Sequence, residues 1–219
     1  MIRLDIFSDP VCPWCLIGKA HLDRALEAHA DHPFVIAWHP FQLNPDMPPE
    51  GVEKRAYLAK RLGGEAKVDA IHDRLRQIAE EAGVAMDPDK PEMLPNTMNA
   101  HRMIHWAGIE GKQAAMVSAL FRAYWRDGRD IGDSEELCDI AEEIGMDPVA
   151  LARLLATDAD IDDLRARDVD ARKKGVTAVP TFLIAQQYVV SGAQPPEVWA
   201  QVIEELVAKS TESSEVESK

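Results

Sequence analysis

The chain has 219 residues, of which 46% are hydrophobic and 28% are charged. These proportions are those of an ordinary globular protein and disfavour a disordered, collagen-like or coiled-coil chain. Its 24 basic and 38 acidic residues give a formal net charge of −14, and so acidic a surface repels nucleic acid and anionic lipid. No apolar run approaches the ~20 residues that a membrane span needs. We therefore expect neither nucleic acid nor a membrane as a partner.

The first forty residues predict a strand, a helix and a second strand. Apolar and polar residues alternate over 2–7, apolar residues recur at helical spacing over about 13–30, and 34–38 is a continuous apolar run. Such a run is typical of a strand buried on both faces, and the three elements form a βαβ unit with a right-handed crossover. A secretory signal needs a longer unbroken apolar segment than this charged N-terminus contains. We therefore expect a cytoplasmic protein.

The middle of the chain, residues 51–174, is predicted to be almost purely helical. Apolar residues recur at spacings of three and four over 68–82. Asn96, Asp133 and Asp147 are predicted to be helix N-caps, because their short polar side chains can accept hydrogen bonds from free backbone amides. No β-rich run and no repeat of fixed period interrupts this region.

Strand character returns near the C-terminus. Residues 181–184 and 188–190 predict an antiparallel hairpin, and a final amphipathic helix follows over 196–208. Residues 209–219 contain four serines and three glutamates, a composition that predicts a disordered tail.

The order of these elements is β-α-β, a helical block, and β-β-α. It predicts an α/β protein with a thioredoxin-like fold and a large all-helical insertion. The thioredoxin-like domain then has a first part at residues 1–50 and a second part at 175–208, and the inserted helical domain occupies 51–174.

The most informative motif is Cys12-Pro13-Trp14-Cys15. Such a pair either donates two thiolates to zinc or cycles between dithiol and disulfide. Structural zinc takes four protein ligands, but Cys138 is isolated in sequence, and His101 and His105 have no link to the cysteine pair. We therefore predict no metal site.

The redox interpretation has a physical basis in the predicted start of the first helix. Free backbone amides and the helix dipole favour an anion there, which stabilises the thiolate of Cys12. Cys15 lies one turn further on the same face, and Pro13 suits an early helical position. Trp14 is predicted to be exposed and to offer a face for substrate packing. Two cysteines without a chemical role at a helix start remain the alternative.

The chain resembles the DsbA family of thioredoxin-like oxidoreductases. Within that family it is most similar to the FrnE-like branch, which is related to 2-hydroxychromene-2-carboxylate isomerases and kappa-class glutathione transferases. Besides the Cys-Pro-Trp-Cys motif, the matching segments are residues 8–18, 40–45, 96–97, 100–102, 175–176, 179–182 and 191–194. The resemblance implies a thioredoxin fold with an inserted helical domain.

The resemblance also implies further site residues. Pro180 would follow a cis peptide bond and pack against the dithiol, and Val179 and Pro180 would align an extended substrate beside the sulfurs. Asn96 and His101 would line the substrate groove, a site for glutathione or a peptide, where Arg102 could pair with a substrate carboxylate.

Three positions refine the functional prediction. Trp14 stands where DsbA itself has histidine, so the strongly oxidising character of DsbA is not carried over. Ala178 stands where many relatives have glycine. Kappa-class transferases have serine at the position of Cys12, so the presence of both cysteines favours redox chemistry over isomerisation.

We predict a protein dithiol–disulfide oxidoreductase. Cys12 would form a mixed disulfide with the substrate, and Cys15 would resolve it. The predicted partner is a protein disulfide or dithiol, or a small thiol such as glutathione. No cofactor is expected, glutathione is a candidate co-substrate, and a homodimer is left open. The alternatives are a glutathione-dependent isomerase or transferase of small aromatic substrates and a binding protein with incidental cysteines.

Overall fold

The computed structural model describes the backbone of residues 1–217 and the side chains of residues 1–208. The strands are β1 (Ile2–Ser8), β2 (Phe34–Pro40), β3 (Val52–Glu53), β4 (Met93–Leu94), β5 (Thr181–Ile184) and β6 (Tyr188–Ser191). The helices are α1 (Pro13–Ala28), α2 (Lys54–Leu62), α3 (Glu65–Glu81), α4 (Met98–Ile109), α5 (Gln113–Arg122) with a π-helical turn (Ala123–Asp127), α6 (Ser134–Glu143), α7 (Pro148–Leu155), α8 (Ile161–Lys173) and α9 (Pro196–Glu217).

Four strands form one mixed sheet in the order β2-β1-β5-β6. β1 is parallel to β2 and antiparallel to β5, and β5 and β6 form an antiparallel hairpin. The helical region from α2 to α8 is inserted between β2 and β5. The predicted α/β thioredoxin-like fold with a helical insertion is confirmed.

The core of the sheet domain lies where α1 and α9 pack together. Leu4 and Ile6 of β1 are completely buried, as are Phe182 of β5 and Trp199 of α9. The rings of Phe182 and Trp199 meet edge to face, with centroids 4.6 Å apart. The pairing of β1 with β5 and the packing of α1 against α9 join the two halves of the sheet domain, although the helical insertion separates them in sequence.

The second strand is less buried than its sequence predicts. β2 lies at the edge of the sheet with β1 as its one neighbour, and Val35 is 46% exposed. The prediction of a strand buried on both faces is therefore wrong. A continuous apolar run does not distinguish a central strand from an edge strand, because both need apolar residues on the face that packs against helices.

The helical insertion agrees with most of the predicted caps. Asp133 and Asp147 each accept two backbone amide hydrogen bonds at the start of α6 and α7. The N-cap of α4 is Thr97, whereas Asn96 stands one residue earlier and accepts a hydrogen bond from the Met98 amide at 3.0 Å. The prediction of Asn96 as the cap itself is thus wrong by one position.

The insertion also contains the β3–β4 ribbon, in which Val52 pairs with Leu94. The sequence does not predict it, because two-residue strands leave no periodic pattern. The last helix, α9, extends beyond the predicted 196–208. Side chains from residue 209 onward, and all of residues 218 and 219, lie outside the described part, so the disordered tail stays a prediction. Within residues 1–217, no helix has the length and apolar character that crossing a membrane requires.

Candidate active site

Cys12 is the residue directly before α1. Its backbone is extended, with φ −89° and ψ 115°, and Pro13 occupies the first turn of the helix. The missing N–H of a proline leaves no hydrogen bond unmade there. The Cys12 carbonyl oxygen accepts hydrogen bonds from the amides of Cys15 and Leu16 at 3.1 and 3.3 Å. The sulfur of Cys12 therefore lies at the N-terminus of a 16-residue helix, where the helix dipole stabilises an anion.

The loop before β5 packs against this helix start. The Val179–Pro180 peptide bond is cis, as the resemblance implies. The Cys12 thiol donates a hydrogen bond to the Val179 carbonyl oxygen, with the sulfur 3.6 Å from that oxygen. Gly18 permits the close approach, because a Cβ at this position would lie 3.0 Å from Cγ of Pro180. The structure thus brings the dithiol and the proline loop together.

Cys15 differs from Cys12 in its surroundings. Cys15 is 1% exposed, and burial raises the pKa of its thiol well above the ordinary value. The neighbouring Cys12 sulfur raises that pKa further, whereas hydrogen bonds from Ser8 and from the Asp9 backbone oppose the rise. Cys12 is equally buried, at 2% exposed, and what distinguishes it is its place at the helix N-terminus, where an anionic nucleophile is favoured.

A completely buried carboxyl group precedes the dithiol in sequence. Asp9 accepts a hydrogen bond from the Leu43 amide at 2.7 Å and a longer one from the Val11 amide at 3.5 Å. Burial raises the pKa of Asp9 to about 7, although these amides and the Thr97 hydroxyl lower it, and the charge of Asp168 adds to the rise. The carboxyl group ties the residues before α1 to the loop after β2.

His101 and Asn96 lie behind this carboxyl group. His101 is 3% exposed, and its Nε2 is 3.8 Å from Oδ1 of Asp9 without a hydrogen-bond partner among the described residues. Burial lowers the pKa of His101 to about 4, so the ring is neutral at pH 7. Asn96 is half-buried; it accepts a hydrogen bond from the Gln42 side chain and donates one to the Met47 carbonyl oxygen.

Arg102 is 1% exposed, and its guanidinium group is fully engaged. It donates to the backbone carbonyl oxygens of Leu154, Leu155, Thr157 and Ala159, and also to the Asn99 side chain. The prediction that Arg102 pairs with a substrate carboxylate is therefore wrong, because the segment from α7 to α8 already uses its donors.

The structure brings five of the predicted site residues to one place: Cys12, Pro13, Cys15, Val179 and Pro180. Trp14 stands beside them and is 44% exposed, as predicted. His101 lies deeper, next to Asp9 rather than at the surface, and Asn96 is half-buried and bonded to Gln42 and Met47. The substrate-binding roles of all these residues remain predictions.

Two buried ionisable groups near the dithiol, Asp9 and Lys54, were not predicted from the sequence. For Asp9, an acid directly after a buried strand and three residues before a cysteine is a usable signal. Lys54 carries no such signal, because its burial depends on packing within the insertion. No group of three or more metal-ligating residues is found in the described part of the chain.

Comparisons with known proteins agree with this geometry. The family model of the DSBA-like thioredoxin domain matches residues 3–204. A probable DsbA oxidoreductase from Streptomyces coelicolor is 31% identical, with a TM-score of 0.85, over 94% of this chain and 89% of its own.

Two more distant structures share the fold. A 2-hydroxychromene-2-carboxylate isomerase is 17% identical with a TM-score of 0.74, over 96% of this chain and 98% of its own. The cytosolic disulfide reductase DsbM from Pseudomonas aeruginosa is 21% identical with a TM-score of 0.66, over 94% of this chain and 98% of its own. On the match of its family model and on the Streptomyces structure, the chain belongs to the DSBA-like thioredoxin domain family.

Proposed function

We propose that the protein is a thiol–disulfide oxidoreductase in which Cys12 attacks the substrate and Cys15 resolves the intermediate. The observation that carries this proposal is the asymmetry of the two sulfurs. Both sulfurs are buried, but Cys12 lies at the helix N-terminus beside the Val179 carbonyl oxygen, whereas Cys15 lies within the first turn and the pKa of its thiol is raised well above the ordinary value. The names of the Streptomyces oxidoreductase and the Pseudomonas disulfide reductase support the same chemistry.

In the reducing direction, the Cys12 thiolate attacks one sulfur of a substrate disulfide. A mixed disulfide with Cys12 forms, and the first substrate thiolate leaves. Cys15 then loses its proton and attacks Sγ of Cys12, which releases the second substrate thiolate. Two electrons pass from the enzyme dithiol to the substrate, and a small thiol such as glutathione, itself oxidised to its disulfide, restores the dithiol.

We further propose where the substrate binds and in which compartment the protein acts. An extended substrate would lie along Val179 and Pro180, with Pro13 and the exposed ring of Trp14 packing against it. We place the protein in the FrnE-like branch and in the cytoplasm, where the substrate is a disulfide or dithiol of a protein or a small thiol. The name of the cytosolic Pseudomonas reductase supports this placement.

Insulin-disulfide reduction tests the proposal directly. Wild-type protein should turn insulin over in glutathione buffer, Cys12→Ser should abolish turnover, and Cys15→Ser should accumulate a mixed disulfide detectable by mass spectrometry. Cys138→Ser is the matched control, because Cys138 is buried in α6 away from the dithiol, and it should retain turnover. Equal turnover by wild type and Cys12→Ser would contradict the proposal.

The second candidate is a glutathione-dependent isomerase or transferase of small aromatic substrates. The shared fold of the 2-hydroxychromene-2-carboxylate isomerase favours it. Glutathione binding by calorimetry, combined with no turnover of any disulfide, would support this candidate over the oxidoreductase.

A further inference from the structure

A cavity lies beside the dithiol, between the start of α1 and the first two helices of the insertion. Its volume is about 330 Å³, at the small end of the range for ligand pockets. Val11 and Pro13, the two neighbours of Cys12 in sequence, form one wall. The opposite walls are apolar and come mainly from α2 and α3: Leu58, Leu62, Ile71, Leu75 and Leu94.

Lys54, the first residue of α2, lines this cavity although it is only 5% exposed. Its Nζ donates to the Pro88 carbonyl oxygen at 2.6 Å and lies 5.0 Å from the ring centroid of Trp125. An ammonium group has three donors, and no carboxylate lies within ion-pair distance of Nζ among the described residues. Burial lowers the pKa of Lys54 to about 8, which the charge of Asp87 partly offsets.

Arg61 contributes a second cationic group to the same cavity. Its Nη1 donates to Oδ1 of Asn44 at 3.1 Å and to the Tyr57 hydroxyl at 3.0 Å. Arg61 has no carboxylate partner in the described part of the chain. Two basic residues without an acidic partner line one apolar cavity, in a chain that has 38 acidic residues. Arg61 is exposed, whereas Lys54 is buried; because a buried charge is costly unless it is paired, the position of Lys54 favours an anionic ligand.

We propose that the cavity binds a small apolar carboxylate, with the carboxylate paired to Lys54 and the apolar body against Leu58, Leu75 and Pro13. The ligand would supply the counter-charge that the protein does not provide for Lys54. The cavity shares Pro13 with the substrate surface proposed above, but this binding does not depend on the thiol chemistry, since neither Cys12 nor Cys15 lines the cavity.

Calorimetric titration of the full chain with 2-naphthoate and with 2-naphthamide tests the proposal. The two probes have the same ring system, and only the first has a negative charge. We expect naphthoate to bind about tenfold more tightly, the size of effect that a charge-assisted hydrogen bond supports. Lys54→Met should remove this preference, and Lys60→Met, at an exposed position of the same helix, should retain it.

A second variant keeps Lys54 and fills the cavity instead. Ile71→Trp, at a position of the wall that is 41% exposed, should weaken both probes. Cys12→Ser should leave the preference for naphthoate unchanged, which separates this site from the redox centre. Equal affinity of the wild type for both probes, binding of neither, or an unchanged preference in Lys54→Met would overturn the proposal.

Discussion

The segment between β1 and α1 is flanked by two buried regions of opposite character. On one side, the region around Asp9 is closely packed, and most of its charged and polar groups, Nε2 of His101 excepted, have hydrogen-bond partners in the part of the chain that the structure describes. On the other side, Lys54 faces a cavity, and among the described residues its ammonium group donates one hydrogen bond, to the Pro88 carbonyl oxygen. The comparison indicates that the packed side, which contains Asp9, His101 and Arg102, stabilises the fold. The open side, the cavity that Lys54 and Arg61 line, is available to a ligand.

The same substitution on the two sides should separate these roles most clearly. Arg102→Met removes the hydrogen bonds that a buried guanidinium group donates to the segment from α7 to α8, and it should lower the free energy of unfolding by ~3–5 kcal/mol. Arg61→Met, on the cavity side, should change it by no more than ~0.5 kcal/mol. Urea denaturation of both variants measures the difference. Equal losses would mean that the two sides do not differ as described.

The packed side should also impose a pH dependence on stability. Between its ordinary pKa of 3.8 and its raised pKa of about 7, Asp9 binds a proton in the folded state that it has lost in the unfolded state. Its contribution to stability is therefore present below pH 3.8 and is lost as the pH rises to 7. Asp9→Asn should remove this loss. The free energy of unfolding of the variant, taken relative to that of wild type, should therefore rise by on the order of 2–4 kcal/mol from pH 4 to pH 8.

His101 acts in the opposite direction over the same range, because its pKa is lowered from 6.5 to about 4. Its contribution to stability is present above pH 6.5 and is lost as the pH falls to 4. The difference between wild type and Asp9→Asn, measured by denaturation at each pH, isolates the Asp9 part. Asp46→Asn, at an exposed position, controls for the change in net charge. Parallel pH profiles for wild type and Asp9→Asn would contradict the interpretation.

The smallest expected effect on stability comes from adding volume to a side chain that lines the cavity. Leu75 lines the cavity, whereas Leu120 of α5 is completely buried in the core. Leu75→Phe should therefore cost less than ~1 kcal/mol, and Leu120→Phe should cost ~1–3 kcal/mol because a packed core cannot accept added volume. Thermal unfolding of the two variants makes the comparison, and a larger loss at Leu75 would show that the cavity cannot accommodate an added ring.

Much of the sheet domain could be predicted from the sequence. The alternation in β1 and the hairpin of β5 and β6 were predicted correctly, as were the caps at Asp133 and Asp147 in the insertion. Each of these patterns depends on residues that are close together in sequence. The edge position of β2 and the ribbon of β3 and β4 could not be predicted, because they depend on pairing between distant segments.

The same limit applies to the site. The dithiol and Pro180 were identified from motifs, and the structure brings them together. The burial of Arg102 was missed, since a sequence does not show which carbonyl groups will face an arginine. The burial of Lys54 depends on packing within the insertion, where its ammonium group lies against the rings of Tyr124 and Trp125.

The pairing of β1 with β5 has a consequence for how the chain is made. Phe7 lies opposite Thr181 in the finished sheet, so nearly the whole insertion must be synthesised before this pairing can form. Domains emerge from the ribosome N-terminus first, and contacts between such distant residues form slowly. A growing chain therefore exposes Cys12 and Cys15 before Val179 exists to cover them. The two thiols are therefore accessible to solvent on the growing chain until the segment that contains Val179 has been added.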